Sequence, residues 1–204
     1  MAGSPGAGKT EFVKELKELD TRGELGTPNS FAVIDPDAIR DYLPGYTGDN
    51  SHLFQNAISI GTSALFRSVL KNHQNAIVDG TMANYKYATS NIQKVIESGV
   101  RAAIFYIFQH PSIARDFTQK REAVEGRRIT KPSFIDKFIG AKDTVNSIKQ
   151  EFGDKIYVNV VIKDYKDSIH NKAIEKVFID VNEMFRFRYI EDGSRIYLGG
   201  SDAW

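Results

Sequence analysis

Short runs of β-branched and aromatic residues recur along the chain and predict strands. They occupy residues 30–35, 75–79, 101–108 and 155–162. The two middle runs are apolar over most of their length, so we expect them to be buried on both faces of a sheet.

Between and around these runs, apolar residues recur at helical spacing with polar residues on the opposite side. This pattern predicts helices at 10–21, 51–71, 85–97, 112–123 and 133–152. Strands that alternate with helices predict an α/β fold in three layers, with helices flanking both faces of a parallel sheet. The less regular tail predicts a helix at 167–188 and a terminal strand at 189–198. We expect residues 1–204 to form a single domain.

The start of the chain matches the phosphate-binding pattern G-x-x-x-x-G-K-[ST] in full. The glycines let backbone N–H groups curl around a phosphate, Lys9 can reach phosphate oxygens, and the Thr10 hydroxyl can hold Mg²⁺. The alternative interpretation is a glycine turn that only caps the helix after it. The predicted nucleotide-binding residues are Gly3, Ser4, Pro5, Gly6, Ala7, Gly8, Lys9 and Thr10.

A phosphate loop of this kind follows a buried strand, which is central to the sheet in the P-loop kinase arrangement. Only Met1 and Ala2 precede Gly3. Without that strand, backbone groups of its neighbours would be unpaired in the core, at about 1–3 kcal/mol each. We therefore expect the native chain to extend upstream, with Met1 and Ala2 at the end of the first strand.

Ligands of such sheets bind beyond the carboxyl ends of the strands. After the first predicted strand, Pro36 suits the first turn of a helix. Asp37 then stands at the start of this helix and Arg40 one turn later, both facing the cleft above the sheet. Asp37 is a candidate catalytic carboxylate, but by position alone it could equally be a helix N-cap without a catalytic role.

Asp79, Gly80 and Thr81 directly follow the second predicted strand. A carboxylate at this position can hold Mg²⁺ through water or bind a substrate, and Thr81 offers a hydroxyl. The alternative is an ordinary turn in which Asp79 caps the end of the strand.

The segment after Phe108 is rich in basic residues, and we expect a small helical lid at about 111–131. Guanidinium groups over a transferring phosphoryl group would stabilise the charge that develops on its oxygens. The alternative is a solvated basic face balanced by nearby glutamates. The basic residues are Arg115, Lys120, Arg121, Arg127, Arg128 and Lys131.

The order of these segments closely resembles that of the zeta toxin family of P-loop kinases. The resemblance implies an enzyme that uses ATP and Mg²⁺ to phosphorylate a hydroxyl of UDP-N-acetylglucosamine, and that is inhibited by an antitoxin protein. It extends from Gly3 to about residue 165, and its motifs are Gly3 to Thr10, Asp37-Ala38-Ile39-Arg40 with Leu43-Pro44, Val78-Asp79-Gly80-Thr81, Arg121 and Arg128-Ile129-Thr130.

The resemblance also implies roles for individual residues. Asp37 would be the base that deprotonates the acceptor hydroxyl, and Arg40 would assist in the acceptor pocket. Asp79 and Thr81 would contact the substrate, and Asp79 would share the Mg²⁺ site with Thr10. The family typically has Glu at the position of Asp79, one methylene longer, so the acceptor is the open part of this assignment. The family pattern selects Arg121 and Arg128, with Lys9, as the cations that act on the phosphoryl group.

Composition excludes several other classes of protein. The 27 Lys and Arg residues against 26 Asp and Glu give a net charge of +1, which provides no general attraction to nucleic acid or to an acidic membrane. The chain contains no Cys, which excludes disulfides, thiolate metal sites and a cysteine nucleophile. It has neither an apolar run long enough to span a bilayer nor the pattern of a signal peptide, so we expect a cytoplasmic protein.

Two alternative functions remain open at this point. One keeps the fold and changes the acceptor to a nucleoside, a dinucleotide or a nucleic-acid 5′ end. The other is a non-catalytic, ATP-dependent switch. A switch has less need of a base beside the γ-phosphate, so the combination of Asp37 with the arginine pair favours a kinase.

Overall fold

The computed structural model describes residues 1–24, 31–126, 128–164 and 173–178. Its strands form two groups, one of two strands and one of three. Within the groups, β1 pairs with β2 and β3 with β4 in parallel, while β5 is antiparallel to β4. The strands are β1 (Phe31–Ile34), β2 (Asn75–Val78), β3 (Ala102–Phe108), β4 (Ile156–Asp164) and β5 (Ala173–Phe178). The first four confirm the predicted strands to within two residues at each end.

The helices also lie where the periodicity predicts them. One correction is local, because the predicted helix at 51–71 opens with a separate 3-10 turn at Ser51–Leu53. A second 3-10 turn, Gly153–Lys155, leads into β4. The α-helices are α1 (Lys9–Thr21), α2 (Pro36–Arg40), α3 (Gln55–Lys71), α4 (Tyr85–Glu97), α5 (Pro111–Glu125) and α6 (Lys131–Phe152).

The first residues of the chain lie between the two groups of strands. The Ala2 N–H donates to Phe105 O at 2.8 Å, and the Ile107 N–H donates to Ala2 O at 2.9 Å, in a parallel bridge to β3. On the other side, the Met1 amino group donates to Val78 O at the end of β2, at 2.8 Å. This is the sheet position expected for the strand ahead of the phosphate loop. That residues precede Met1 stays a prediction.

Helices cover the sheet on both faces, which gives three layers. Side chains of β3 alternate between them: Ile104 and Tyr106 belong to the cluster that includes Phe138 of α6. Ile107 points the other way and packs in a cluster with Phe12 of α1. The long apolar run of β3 therefore reflects burial on both faces, as predicted.

The other strand expected to be buried on both faces, β2, is less buried than predicted. Asn75 is exposed, and Ala76, Ile77 and Val78 are only partly buried. Ala76 and Val78 pack beside the cluster that α3 forms with β1 through Phe66 and Ile34.

The tail departs from the sequence prediction, because residues 173–178 form a strand and the helix predicted at 167–188 is wrong there. The register runs from Val160 opposite Phe178 to Asp164 opposite Ala173. Pairing with β4 satisfies backbone groups that an uncovered sheet edge would leave open, and this tertiary demand outweighs the local pattern. The rest of the predicted helix and the strand predicted at 189–198 lie outside the described residues. Within the described ranges, no helix combines the length and the apolar character needed to cross a bilayer.

Candidate active site

The phosphate loop lies directly against the end of β3 and the first turns of α5. Gly3 has φ +131°, and a Cβ there would lie 2.3 Å from Ile107 O. Gly6 has φ +74°, and its Cβ would lie 2.1 Å from Ala114 O. Both the left-handed backbone and the close approach require glycine. The loop is therefore fixed in shape by its neighbours, and it touches the helix predicted to be the lid.

Helix α1 begins at the end of this loop without a side-chain cap. Its N-cap is Gly8, in the left-handed region with φ 85° and ψ 28°. The first N–H groups of a helix have no partner within the helix, and the helix dipole makes this end electropositive. The loop and the start of α1 together therefore suit a phosphate group.

Lys9 folds back over the loop. Its Nζ donates to Gly3 O at 3.0 Å and to Ser4 O at 2.7 Å. Burial lowers the pKa of Lys9 to about 8, while the nearby Asp79 carboxylate opposes this shift and Arg121 adds to it. Because Asp79 and Arg121 both act on the Lys9 pKa, these charges share one region of the molecule.

Among the described residues, two buried oxygens near Lys9 have no hydrogen-bond partner. They are Ser4 Oγ, in the loop, and Asp79 Oδ1, after β2. Burial raises the pKa of Asp79, and the positive charge of Lys9 opposes this shift. Such oxygens are expected where a ligand or its water completes the site.

Of these two oxygens, Asp79 Oδ1 is a buried acceptor that suits the magnesium site predicted from the sequence at Thr10 and Asp79. The described residues contain no group of three or more His, Asp or Glu side chains that could hold a metal by themselves. A Mg²⁺ ion that accompanies a nucleotide needs only one or two protein ligands, because phosphate oxygens and waters supply the rest. The Thr10 hydroxyl and the Asp79 carboxylate would be those ligands.

The N-cap of α2 is Asp35 rather than Asp37. The Asp35 side chain accepts a hydrogen bond from the Asp37 N–H at 2.8 Å, and Pro36 follows it in the first turn as predicted. The interpretation of Asp37 as a helix cap is therefore wrong. Its carboxylate remains available for other contacts.

Two arginines hold the Asp37 carboxylate. Arg40, one turn along α2, pairs with Oδ1. Arg121 reaches across from α5, and its Nη2 lies 3.1 Å from Oδ2. Arg40 is buried at 5% exposure, whereas the Arg121 side chain is 47% exposed. The sequence-predicted residues Asp37, Arg40 and Arg121 are thus brought together from two separate elements.

The other predicted site residues have different surroundings. The Arg128 side chain is 78% exposed, and its Nε lies 3.8 Å from Glu122 Oε1, which resembles the solvated charged face considered as an alternative. Thr81 adjoins the phosphate loop, because its carbonyl accepts the Gly3 N–H at 3.2 Å. Arg115, which the family pattern passes over, donates to Ile129 O at 2.6 Å and lies over the Phe134 ring. Arg127 lies outside the described residues.

The profile of the zeta toxin family matches residues 1–175. The chain belongs to the zeta toxin family. Zeta toxins form a kinase-like P-loop family, so this chain is a kinase-like P-loop protein. A search of curated protein sequences gives no match.

A solved structure supports the fold. The chain is similar to a structure from the PezAT chromosomal toxin–antitoxin system of the human pathogen Streptococcus pneumoniae, with a TM-score of 0.62 and 16% sequence identity. The match covers 86% of this chain and 69% of that chain. The two proteins therefore share the fold, with helices around a mainly parallel sheet.

One residue of this zeta toxin family member was missed by sequence reasoning. Lys163, near the end of β4, is 1% exposed, and its Nζ donates to Gly8 O at 3.1 Å. It belongs to no motif, and its only sequence signal is a cation directly after an apolar strand. That position corresponds to the carboxyl end of the sheet, where functional side chains are expected.

Proposed function

We propose that this chain is an ATP-dependent kinase that transfers a phosphoryl group to an alcohol hydroxyl. The acceptor class that we favour is a nucleotide sugar such as UDP-N-acetylglucosamine. The observation that carries the proposal is the Asp37 carboxylate, which is not used as a helix cap and is held by Arg40 and Arg121. Family membership over residues 1–175 supports the reaction class.

In the proposed reaction, Asp37 accepts the proton of the acceptor hydroxyl as its oxygen bonds to the γ-phosphorus. The bond between the γ-phosphorus and the bridging oxygen breaks, and ADP leaves. Lys9 would hold the β- and γ-phosphate oxygens, and Arg121, with Arg128 as a second candidate, would stabilise charge on the transferred group. Mg²⁺ at Thr10 and Asp79 would neutralise phosphate charge when bound. A reaction that consumes ATP fits the cytoplasmic location expected from the sequence.

The test is ADP release with Mg²⁺–ATP against a panel of UDP-sugars, nucleosides, dinucleotides and oligonucleotide ends. We expect one acceptor to raise the rate and Asp37→Asn to lower kcat on the order of 10²–10⁴-fold, with ATP affinity retained. Asp41→Asn is the matched control, because Asp41 is an exposed carboxylate that directly follows the same helix. An acceptor-dependent rate that survives Asp37→Asn would contradict the assignment of the base.

The same panel separates the alternative functions. A rate that rises with a nucleoside or an oligonucleotide end would keep the kinase and change the acceptor. ATP binding without any acceptor-dependent rate would favour a nucleotide-dependent switch.

We further propose that the chain is the toxin of a toxin–antitoxin pair. The similar structure comes from such a system, which supports an antitoxin protein as partner. Expression in a bacterial host should arrest growth for the native chain but not for Lys9→Met or Asp37→Asn. Equal growth arrest by Asp37→Asn would separate toxicity from phosphoryl transfer.

A further inference from the structure

We propose that Lys163 is a positioning residue for the phosphate loop, and that its buried ammonium group strengthens the binding of nucleotide phosphates. It would act by holding the Gly8 carbonyl and by adding a fixed positive charge behind the loop. This inference rests on the proposed function, because it takes nucleotide phosphates as the ligand of the loop.

The surroundings of Lys163 are unusual for a lysine. Its side chain is 1% exposed, although lysine is among the residues least often buried. The ladder between β4 and β5 is irregular at this point, since the register shifts between Ile162 and Lys163. Burial of an ammonium group is costly unless oxygen atoms compensate it, and Gly8 O at 3.1 Å is such an oxygen.

The residue that Lys163 contacts controls the shape of the loop. Gly8 is the left-handed residue that ends the loop and begins α1. Its carbonyl also accepts the Phe12 N–H at 3.2 Å, the first hydrogen bond of the helix. One carbonyl therefore receives both a helical N–H and the Lys163 ammonium group. Because Lys9 is the next residue, the orientation of the Gly8 peptide also sets where the Lys9 side chain starts.

The two lysines hold opposite ends of the same loop. Lys9 Nζ contacts the carbonyls of Gly3 and Ser4, at the beginning of the loop. Lys163 Nζ contacts the carbonyl of Gly8, at its end. Lys9 is partly accessible and would reach phosphate oxygens, whereas the buried Lys163 would act through the Gly8 peptide and through its charge.

The charge of Lys163 should matter more as the ligand carries more phosphates. A buried charge is screened little by salt, and at an effective dielectric constant of about 20 a unit charge still acts strongly over several ångströms. We expect its loss to weaken ATP binding about tenfold, ADP binding less, and AMP binding little. A purely structural lysine would affect all three ligands equally.

The test compares Lys163→Met with Lys149→Met by calorimetric titration of ATP, ADP and AMP. Lys149 is a matched control, because its Nζ also donates to backbone carbonyls, those of Gly153 and Ile156, at the opposite end of β4. We expect the graded loss of affinity for Lys163→Met alone. In steady-state assays, the KM for ATP should rise more than kcat falls.

A second variant, Lys163→Gln, covers the case in which the methionine variant does not fold. Glutamine is neutral but keeps an N–H donor for Gly8 O, so a graded loss in the same order of ligands, no larger than that of Lys163→Met, is expected. ATP affinity equal to that of the native chain in either folded variant, or an equal loss for ATP, ADP and AMP, would overturn the inference. Absence of ATP binding by the native chain would instead contradict the proposed function.

Discussion

Substitution of Gly6 by alanine tests whether the phosphate loop and α5 form one unit. Gly6 has φ +74°, and a Cβ there would lie 2.1 Å from Ala114 O and 3.1 Å from Thr118 Cγ2. The first of these is a backbone atom in α5, so the contact cannot be relieved by a rotamer change. Either the loop or α5 has to move.

Two terms set the magnitude of this effect. An alanine in the left-handed region costs about 1–2 kcal/mol. Forcing a methyl group into a packed site costs about 1–3 kcal/mol more. We therefore expect Gly6→Ala to lower the free energy of unfolding by about 2–5 kcal/mol.

Gly99→Ala provides the matched control. Gly99 has φ +70°, close to that of Gly6, but no atom lies within 4 Å of the Cβ position. It should show only the strain term, about 1–2 kcal/mol. The change in unfolded-state entropy is the same for both substitutions and cancels in the comparison.

Urea unfolding of both variants measures the difference, and titration with ATP measures the consequence for the loop. We expect Gly6→Ala to lose ATP affinity and Gly99→Ala to keep it. Phosphoryl transfer should also fall for Gly6→Ala, because a displaced α5 moves Arg121 relative to Asp37. Equal destabilisation of the two variants would refute the close contact between the loop and α5.

Three further predictions concern single residues of the site. Because the Lys9 pKa is lowered to about 8, a bound polyphosphate should draw a proton onto Lys9 above that pH, and ATP affinity should fall as the pH rises past 8. An ATP affinity that does not depend on pH in the native chain, or the same fall in Lys9→Met, would contradict this. Asp35→Ala removes the cap of α2 and should lower the free energy of unfolding in urea by about 1 kcal/mol, whereas Asp35→Asn should keep nearly the native value. An equal loss of stability in both variants would argue against capping. Arg121→Ala breaks an exposed ion pair and should change the free energy of unfolding by no more than about 1 kcal/mol, yet lower kcat at least about tenfold. An unchanged kcat would show that Arg121 does not act in the reaction.

Local sequence patterns were sufficient for most of the fold. Each of the first four strands has an apolar run bounded by polar residues, and each of the long helices that the structure confirms has an apolar side. Such patterns depend only on residues that are close in the sequence. The strand at 173–178 is different, since its formation depends on the open edge of β4. The local pattern of that segment does not contain this information.

The site also combines features that local sequence predicts with features that depend on tertiary structure. The loop from Gly3 to Thr10 is defined by its own residue types, and its geometry agrees with a phosphate site. Asp35 and Asp37 flank Pro36 and carry the same capping signal, so only the structure shows that Asp35 caps the helix and that Asp37 pairs with Arg40 and Arg121. The contact between the buried Lys163 and Gly8 connects distant parts of the chain, so no local pattern predicts it.

The unequal burial of the two arginines on Asp37 suggests how binding and catalysis would be coupled in the proposed reaction. Arg40 is buried and lies on the same helix as Asp37, so it can orient the carboxylate throughout the cycle. Arg121 is half exposed and comes from α5, and an exposed pair of this kind contributes only about 0–1 kcal/mol. A γ-phosphate carries more negative charge than a carboxylate and would compete for Arg121 at little cost. Nucleotide binding would then draw Arg121 to the γ-phosphate and release the Asp37 carboxylate from it in a single exchange.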